Sequence, residues 1–290
     1  MSESFDAEWL GLREIYDAVA RDVGLALRLS EALPARPRIL DLGAGTGSLI
    51  RWLGQIIGRA QAWTMVDADA ELMSRAFDTI AERAEAVGLA ATFPGKKTLL
   101  VHAPGGAWRI EGLLADLAEA PDMLPLDKVD AVVCSALCDL VSRDWVERMA
   151  EACAERRLPF YAALNVTGRE RFTPRHAADA LVARGFRRDQ RRDKGFGGAA
   201  LGPAATGALA EAFTAQGYTV MRAPSDWIID RRSRGFAEAI VTGHAAAALP
   251  WERRQAAAIA DWAGARRAQA TDGLLSIRIG HQDLLALPPD

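Results

Sequence analysis

The stretch Ile39-Leu-Asp-Leu-Gly-Ala-Gly-Thr-Gly47 constrains this chain more than any other. A short apolar run ends in three glycines at G-x-G-x-G spacing. Such a run suits a strand buried on both faces, as in a parallel sheet. Glycines directly after it let the backbone turn sharply and let a ligand approach main-chain atoms closely. A second apolar run at 62–67 ends in Asp67, 20 residues past Gly47. A carboxylate at that strand end can accept hydrogen bonds from both hydroxyls of an adenosine ribose. Loop, strand end and spacing agree, which is more specific than glycines alone. The glycine spacing is tighter than the G-x-G-x-x-G fingerprint, and this disfavours a nicotinamide dehydrogenase.

Hydrophobic spacing predicts a helix over 8–33, closed by Pro34 and Pro37. Strands follow at 38–42 and 62–67, separated by a helix at 48–57, and Asp69 is placed to cap a helix running to about Val87. Around Pro104-Gly105-Gly106 the chain reads as a hairpin, or as a loop before one strand at 108–114. A strand at 129–134, a helix at 144–155 and a strand at 159–165 complete an alternating pattern. That alternation is the signature of a doubly wound α/β sheet. Residues 168–202 break the rhythm, with a short helix expected at 174–184. Helices at 203–216, 234–247 and 251–270 and strands at 218–229 and 274–288 finish the chain.

The DLGAGTG stretch and Asp67 resemble motif I and the motif II acid of class I S-adenosylmethionine-dependent methyltransferases. The likeness covers the sheet core, roughly 38–165. It implies a Rossmann-like, mostly parallel seven-stranded sheet with an antiparallel last strand. It implies S-adenosylmethionine as cofactor, with the glycine loop of Asp41, Gly43, Ala44, Gly45 and Gly47 under the methionine moiety. By the same resemblance Asp67 and Ala68 hold the ribose, and Asp116 and Leu117 meet the adenine. Cys134 and Ser135, after the fourth strand, fall where the family's backbone meets the cofactor amino group. Tyr16 or Arg21 on the N-terminal helix could face the cofactor carboxylate, or be plain helix-surface residues.

Methyl transfer from a sulfonium needs alignment and water exclusion more than acid–base chemistry. Catalytic residues therefore leave a faint trace. The sequence CSALCDLV after the fourth strand lacks the Asn-Pro-Pro-Tyr motif of amino-methylating enzymes, and Cys134 lacks the preceding proline of cytosine-C5 methyltransferases. Asp139 lies on the ligand edge of a doubly wound sheet, either as a catalytic group or as a cap for the next helix. His176 is the base candidate among four histidines that show no metal-ligand spacing; the alternative is a surface or capping histidine. Asn165, the single asparagine, ends the fifth strand and could bond a substrate or only its own turn. Residues 169–194 hold nine basic residues against four acidic ones. From this segment Arg169, Arg188, Gln190 and Lys194 are the expected substrate contacts, suited to a carboxylate or phosphate. The glycine-rich run that follows reads as a mobile lid.

Composition sets the boundaries. Half of the 290 residues are apolar and a quarter charged, which fits a globular protein. Arginine is abundant throughout (31 residues), so the basic segment is partly a general bias. A net charge of −3 gives no field for nucleic acid, which makes RNA an unfavoured partner. No apolar run reaches the roughly 18 residues of a membrane span. Three cysteines without a C-x-x-C pattern suggest neither a zinc site nor a disulfide framework, so a cytoplasmic setting is expected. The expected organisation is one methyltransferase domain over 1–290, with a helical cap at 1–37 and a substrate-cap insertion at 168–202. The expected activity is methylation of a small polar or anionic metabolite. The alternatives are RNA methylation and a non-catalytic cofactor-binding regulator. Acceptor, methylated atom and oligomeric state are open.

Overall fold

The computed structural model describes residues 7–95 and 97–289; the first six residues of the expected N-terminal cap lie outside them. Strand β1 (Arg38–Leu42) lies at the centre of a ten-stranded sheet. On one side it pairs in parallel with β2 (Gln61–Asp67), which pairs in parallel with β5 (Gly106–Leu114). On the other side come parallel β6 (Ala131–Ser135) and β7 (Phe160–Thr173), and then antiparallel β10 (Ser276–Leu287). Strand β8 (Thr219–Pro224) closes that edge. The chain therefore winds outward from β1 first one way and then the other. This places a topological switch point between β1 and β6, where ligands bind in such sheets. These are the seven strands of the expected core. Three more join them: the antiparallel pair β3 (Ala90–Gly95) and β4 (Thr98–Ala103) beyond β5, and short β9 (Trp227–Ile229) on β10.

Side chains alternate across β1 as strand geometry demands. Ile39 joins one apolar cluster, with residues of helices α2 (Val23–Ala32), α3 (Ser48–Ile57) and α4 (Ala70–Ala86). Leu40 and Leu42 join the other, with α5 (Arg143–Glu155) and α7 (Ala205–Ala215). Both faces are covered, which explains why the β1 sequence is almost continuously apolar. Asp41 is the exception. It shares the Ile39 face and is 1% exposed.

The expected helix at 8–33 is two helices, α1 (Ala7–Ala20) and α2. The break falls at Asp22, whose carboxylate accepts the Leu25 N–H at 2.7 Å, while its own N–H donates to Asp283 at 2.8 Å. A cap residue and a distant buried acceptor together override the helical periodicity.

Strands β7 and β10 have 14 and 12 residues, against five in β1 and β6. Their far ends, with β9, run on past the sheet core. There they carry a third apolar cluster with α6 (Asp179–Gln190), α8 (Arg234–Ala248) and α9 (Ala256–Thr271). The part expected as an insertion at 168–202 thus packs with two later helices, α8 and α9, in one cluster. Gly280 sits at a register shift in β10, where a Cβ would collide with Thr167 of β7. The shift lets His281 turn inward, 3% exposed.

Candidate functional site

Two cavities open side by side at the switch point. The first, about 410 Å³, lies over the C-terminal ends of β1, β2, β5 and β6. Its floor is the glycine loop, where Gly43, Gly45 and Gly47 all take positive φ. Gly43 and Gly45 line the cavity; Gly47 instead begins α3, and a Cβ there would strike Ile80. The Asp67 carboxylate accepts the Gly45 N–H at 2.9 Å and the Asp69 N–H at 3.0 Å. Burial raises its affinity for a proton, against the pull of those N–H donors. Ala68, Asp116, Leu117 and Ser135 line the same cavity. The Asp116 carboxylate accepts the Ala118 N–H at 2.9 Å, and the Leu117 carbonyl accepts Trp145 Nε1–H at 2.7 Å, which fixes this turn.

A side chamber of about 50 Å³ continues below the loop, lined by Asp41, Ala44 and Ser135 among others. It shares Leu10, Arg13, Gly43 and Gly45 with the main cavity. Burial pushes the Asp41 carboxyl up to about 8, and its Oδ2 has no hydrogen-bond partner among the described residues. Arg21, 3% exposed, stands beside it and donates to Ser48 Oγ at 3.1 Å and Ser135 Oγ at 3.0 Å. Tyr16 points elsewhere, stacking on Phe236 with ring centroids 4.1 Å apart.

Cys134 does not reach a cavity. Its Sγ lies 3.4 Å from Cys138 Sγ in the core, and that contact with burial pushes the thiol well above its usual range. The next residues, Ser135 and Ala136, line the cavity instead; Ala136 does so with a positive φ.

The second cavity, about 360 Å³, lies between the sheet edge, α1, α6 and α8. The two cavities share Arg13, Ala136, Leu140 and Lys194. Asp139, Arg169, Gln190 and Lys194 line it as expected. Asp139 is not the cap of α5; Ser142 is, accepting the Trp145 N–H at 3.2 Å. Three expected residues are elsewhere. The Asn165 amide donates to the Ala162 and Gln282 carbonyls, both at 3.0 Å, and stitches β7 to β10 within the sheet. Arg188 pairs with Glu252 at 3.1 Å, beside Arg184, on the exposed outer face of α6. His176 belongs to the turn before α6, where Nδ1 accepts the Ala178 N–H at 3.1 Å. That turn is tied through Asp179 to Arg266 and Trp262 of α9, away from both cavities.

The glycine-rich run after Lys194 is not a loose lid. The Leu201 and Gly202 N–H groups donate to the Val141 and Asp139 carbonyls at 2.9 and 2.8 Å. Phe196 packs edge-on to Trp145 and walls the first cavity. Sequence reasoning missed Glu170, His244 and His281, which all line the second cavity. Only the pairing of distant strands and helices brings them together, so no local signal marks them. Among the described residues no cluster of three or more His, Cys, Asp or Glu is arranged to hold a metal. No helix described is long and apolar enough to cross a membrane.

No protein-family model matches the sequence, and no curated protein matches it. Solved structures are similar in chain path. One is a putative type II methyltransferase from Anaeromyxobacter dehalogenans, at 18% identity and TM-score 0.49, covering 93% of this chain and 98% of that one. Another is a SAM-dependent methyltransferase from Thiobacillus denitrificans in complex with S-adenosyl-L-homocysteine, at 16% identity and TM-score 0.44, covering 99% and 100%. A third is a cyclopropane synthase from Mycobacterium tuberculosis, at 13% identity and TM-score 0.46, covering 91% and 82%.

Proposed function

We propose that this chain is a methyltransferase that uses S-adenosylmethionine and passes its methyl group to a small molecule in the second cavity. The observation that carries this is the junction of the cavities at Arg13, Ala136, Leu140 and Lys194. A ligand over the glycine loop and a ligand between α6 and α8 would abut there.

The residues present fit the cofactor. Gly43 and Gly45 line the cavity with no Cβ and with positive φ, which allows a close main-chain approach. Asp67 and Asp116, at the ends of β2 and β5, are acceptors for the ribose hydroxyls and the adenine amino group. Asp41, buried with an unpartnered oxygen beside the loop, fits the ammonium of the methionine moiety. The bound cofactor would supply an electrophilic methyl group. The chain's own part is alignment and exclusion of water. Leu10 and Phe196 wall the first cavity, and Trp9 and Trp227 the second.

An acceptor cavity of about 360 Å³ is of a size for a small molecule rather than an RNA strand. Its charged lining balances Arg13, Arg169 and Lys194 against Asp139, Glu170 and Asp189. An acceptor that carries a polar group suits this lining, while the outward-facing arginines of α6 give no special preference for an anion. The test is to incubate the protein with methyl-labelled cofactor and a fractionated metabolite extract. One or more small molecules gaining a single labelled methyl supports the reading. Label confined to RNA, or found nowhere while the cofactor binds, contradicts it.

A further inference from the structure

Glu170 on β7 lines the second cavity, and its side chain is 6% exposed. Its Oε2 faces His244 Nε2 on α8 at 3.3 Å. The imidazole is held on every side. Its Nδ1 lies 2.8 Å from the Ile240 carbonyl, one helical turn back. Its ring stacks on Phe186 of α6, with centroids 4.1 Å apart and planes 11° apart, and Phe172 meets it edge-on. A carbonyl only accepts, so Nδ1 must carry a hydrogen, and this fixes the neutral tautomer. Nε2 then presents a lone pair to a carboxylate oxygen. Two acceptors buried at this distance repel unless a proton lies between them.

Resting on the reading of this cavity as the acceptor site, we propose that Glu170 accepts the proton of a hydroxyl or amine nucleophile carried by an apolar, ring-bearing acceptor. His244 is its positioning residue. Leu164, Val166, Trp227 and Ile279 supply apolar walls, and about 360 Å³ is room for a fused pair of rings. The step balances. With a hydroxyl acceptor the O–H bond breaks, its proton goes to the Glu170–His244 pair and the freed electron pair forms the new bond to the methyl carbon; with an amine the nitrogen lone pair forms that bond and the N–H pair stays on nitrogen as the proton leaves to Glu170–His244. In both cases the pair of the S–CH3 bond returns to sulfur as a neutral thioether. The sulfonium charge ends as the proton that neutralises the pair.

The experiment uses one ring system with four substituents: 2-naphthol, 2-aminonaphthalene, 2-naphthoate and 2-vinylnaphthalene, each with methyl-labelled S-adenosylmethionine. Label is expected in the naphthol or the amine, and absent from the carboxylate and the alkene. E170Q is expected to lower kcat at least a hundredfold, far more than it changes KM. E170D should recover at least tenfold of that loss, and H244Q should lower kcat tenfold or more. In protein loaded with S-adenosylhomocysteine, 2-naphthol should bind at least fivefold tighter than its methyl ether, and E170Q should erase the difference. The binding arm and H244Q carry the test if E170Q does not fold. Label in the alkene or carboxylate, no label in any probe although S-adenosylhomocysteine binds, or full kcat in E170Q overturns the proposal. A wild-type protein that binds no S-adenosylhomocysteine overturns the underlying function as well, and so separates the two failures.

Discussion

The Asp67 carboxylate accepts the backbone N–H of Gly45 at 2.9 Å and so ties the end of β2 to the middle of the glycine loop. The same carboxylate lines the first cavity. It therefore shapes the loop and remains an acceptor for a ligand. Asp67→Ala removes both, and cofactor affinity should fall at least tenfold, about 1.4 kcal/mol. Asp67→Asn keeps one acceptor oxygen and should fall between the two. Titration calorimetry on each variant measures this; wild-type affinity in the alanine variant would mean the ribose lies elsewhere.

Asp41 gives a proton-linked signature. Burial raises its carboxyl to about 8, while Arg21 pulls the other way and Asp67 adds to the rise. At pH 7 it is mostly protonated. An ammonium placed beside it favours the ionised form, so cofactor binding at pH 7 should release close to one proton. Titrations in phosphate and in Tris, whose ionisation enthalpies differ, read that proton directly. Asp41→Asn should release none. The free protein shows the same group from the other side. Its raised pKa makes Asp41 cost stability progressively as pH rises from about 4 to about 8, and Asp41→Asn should lack that loss.

His281 works in the opposite direction. Burial, with Arg13 nearby, lowers its pKa from 6.5 to about 4. The folded state thus prefers the neutral ring. Stability from this group is complete above about 6.5 and is lost as pH falls through about 4. In thermal melts across this range His281→Asn should decline less steeply than wild type. An identical decline would place the acid sensitivity in other groups.

The basic segment separates by position. Arg188 pairs with Glu252 outside, whereas Arg169 and Lys194 line the second cavity. Arg188→Ala should leave methyl transfer within threefold of wild type and cost under about 1 kcal/mol of stability, as exposed pairs do. Arg169→Ala should change the acceptor KM at least fivefold without altering cofactor affinity. Steady-state kinetics on both variants checks the division; equal effects would mean the segment acts as a diffuse field.

The parts legible in the sequence are those that short-range rules control. The β1 strand, the glycine turn and Asp67 announce themselves because an apolar run, a backbone freedom and a strand end lie within one βαβ unit. Asp69 as a helix cap is of the same kind, accepting the Glu71 and Leu72 N–H groups at 2.9 and 3.0 Å. The acceptor site was less legible. His176 and Asn165 looked functional from residue type and strand end, yet the His176 Nδ1 and the Asn165 amide N–H groups bond backbone, and neither residue lines either cavity. Glu170 and His244 looked ordinary, and only the length of β7 and the packing of α8 over it bring them together. Strand β3 escaped notice because it is an exposed edge containing Pro94, which weakens the usual strand signal.

The central claim is tested most directly by titrating the purified protein with S-adenosylmethionine, S-adenosylhomocysteine and NAD in turn. One-to-one binding of the first two, at least tenfold weakened by Asp67→Ala, and no binding of NAD is the predicted result. Heat of binding from NAD alone, or from none of the three, would contradict it.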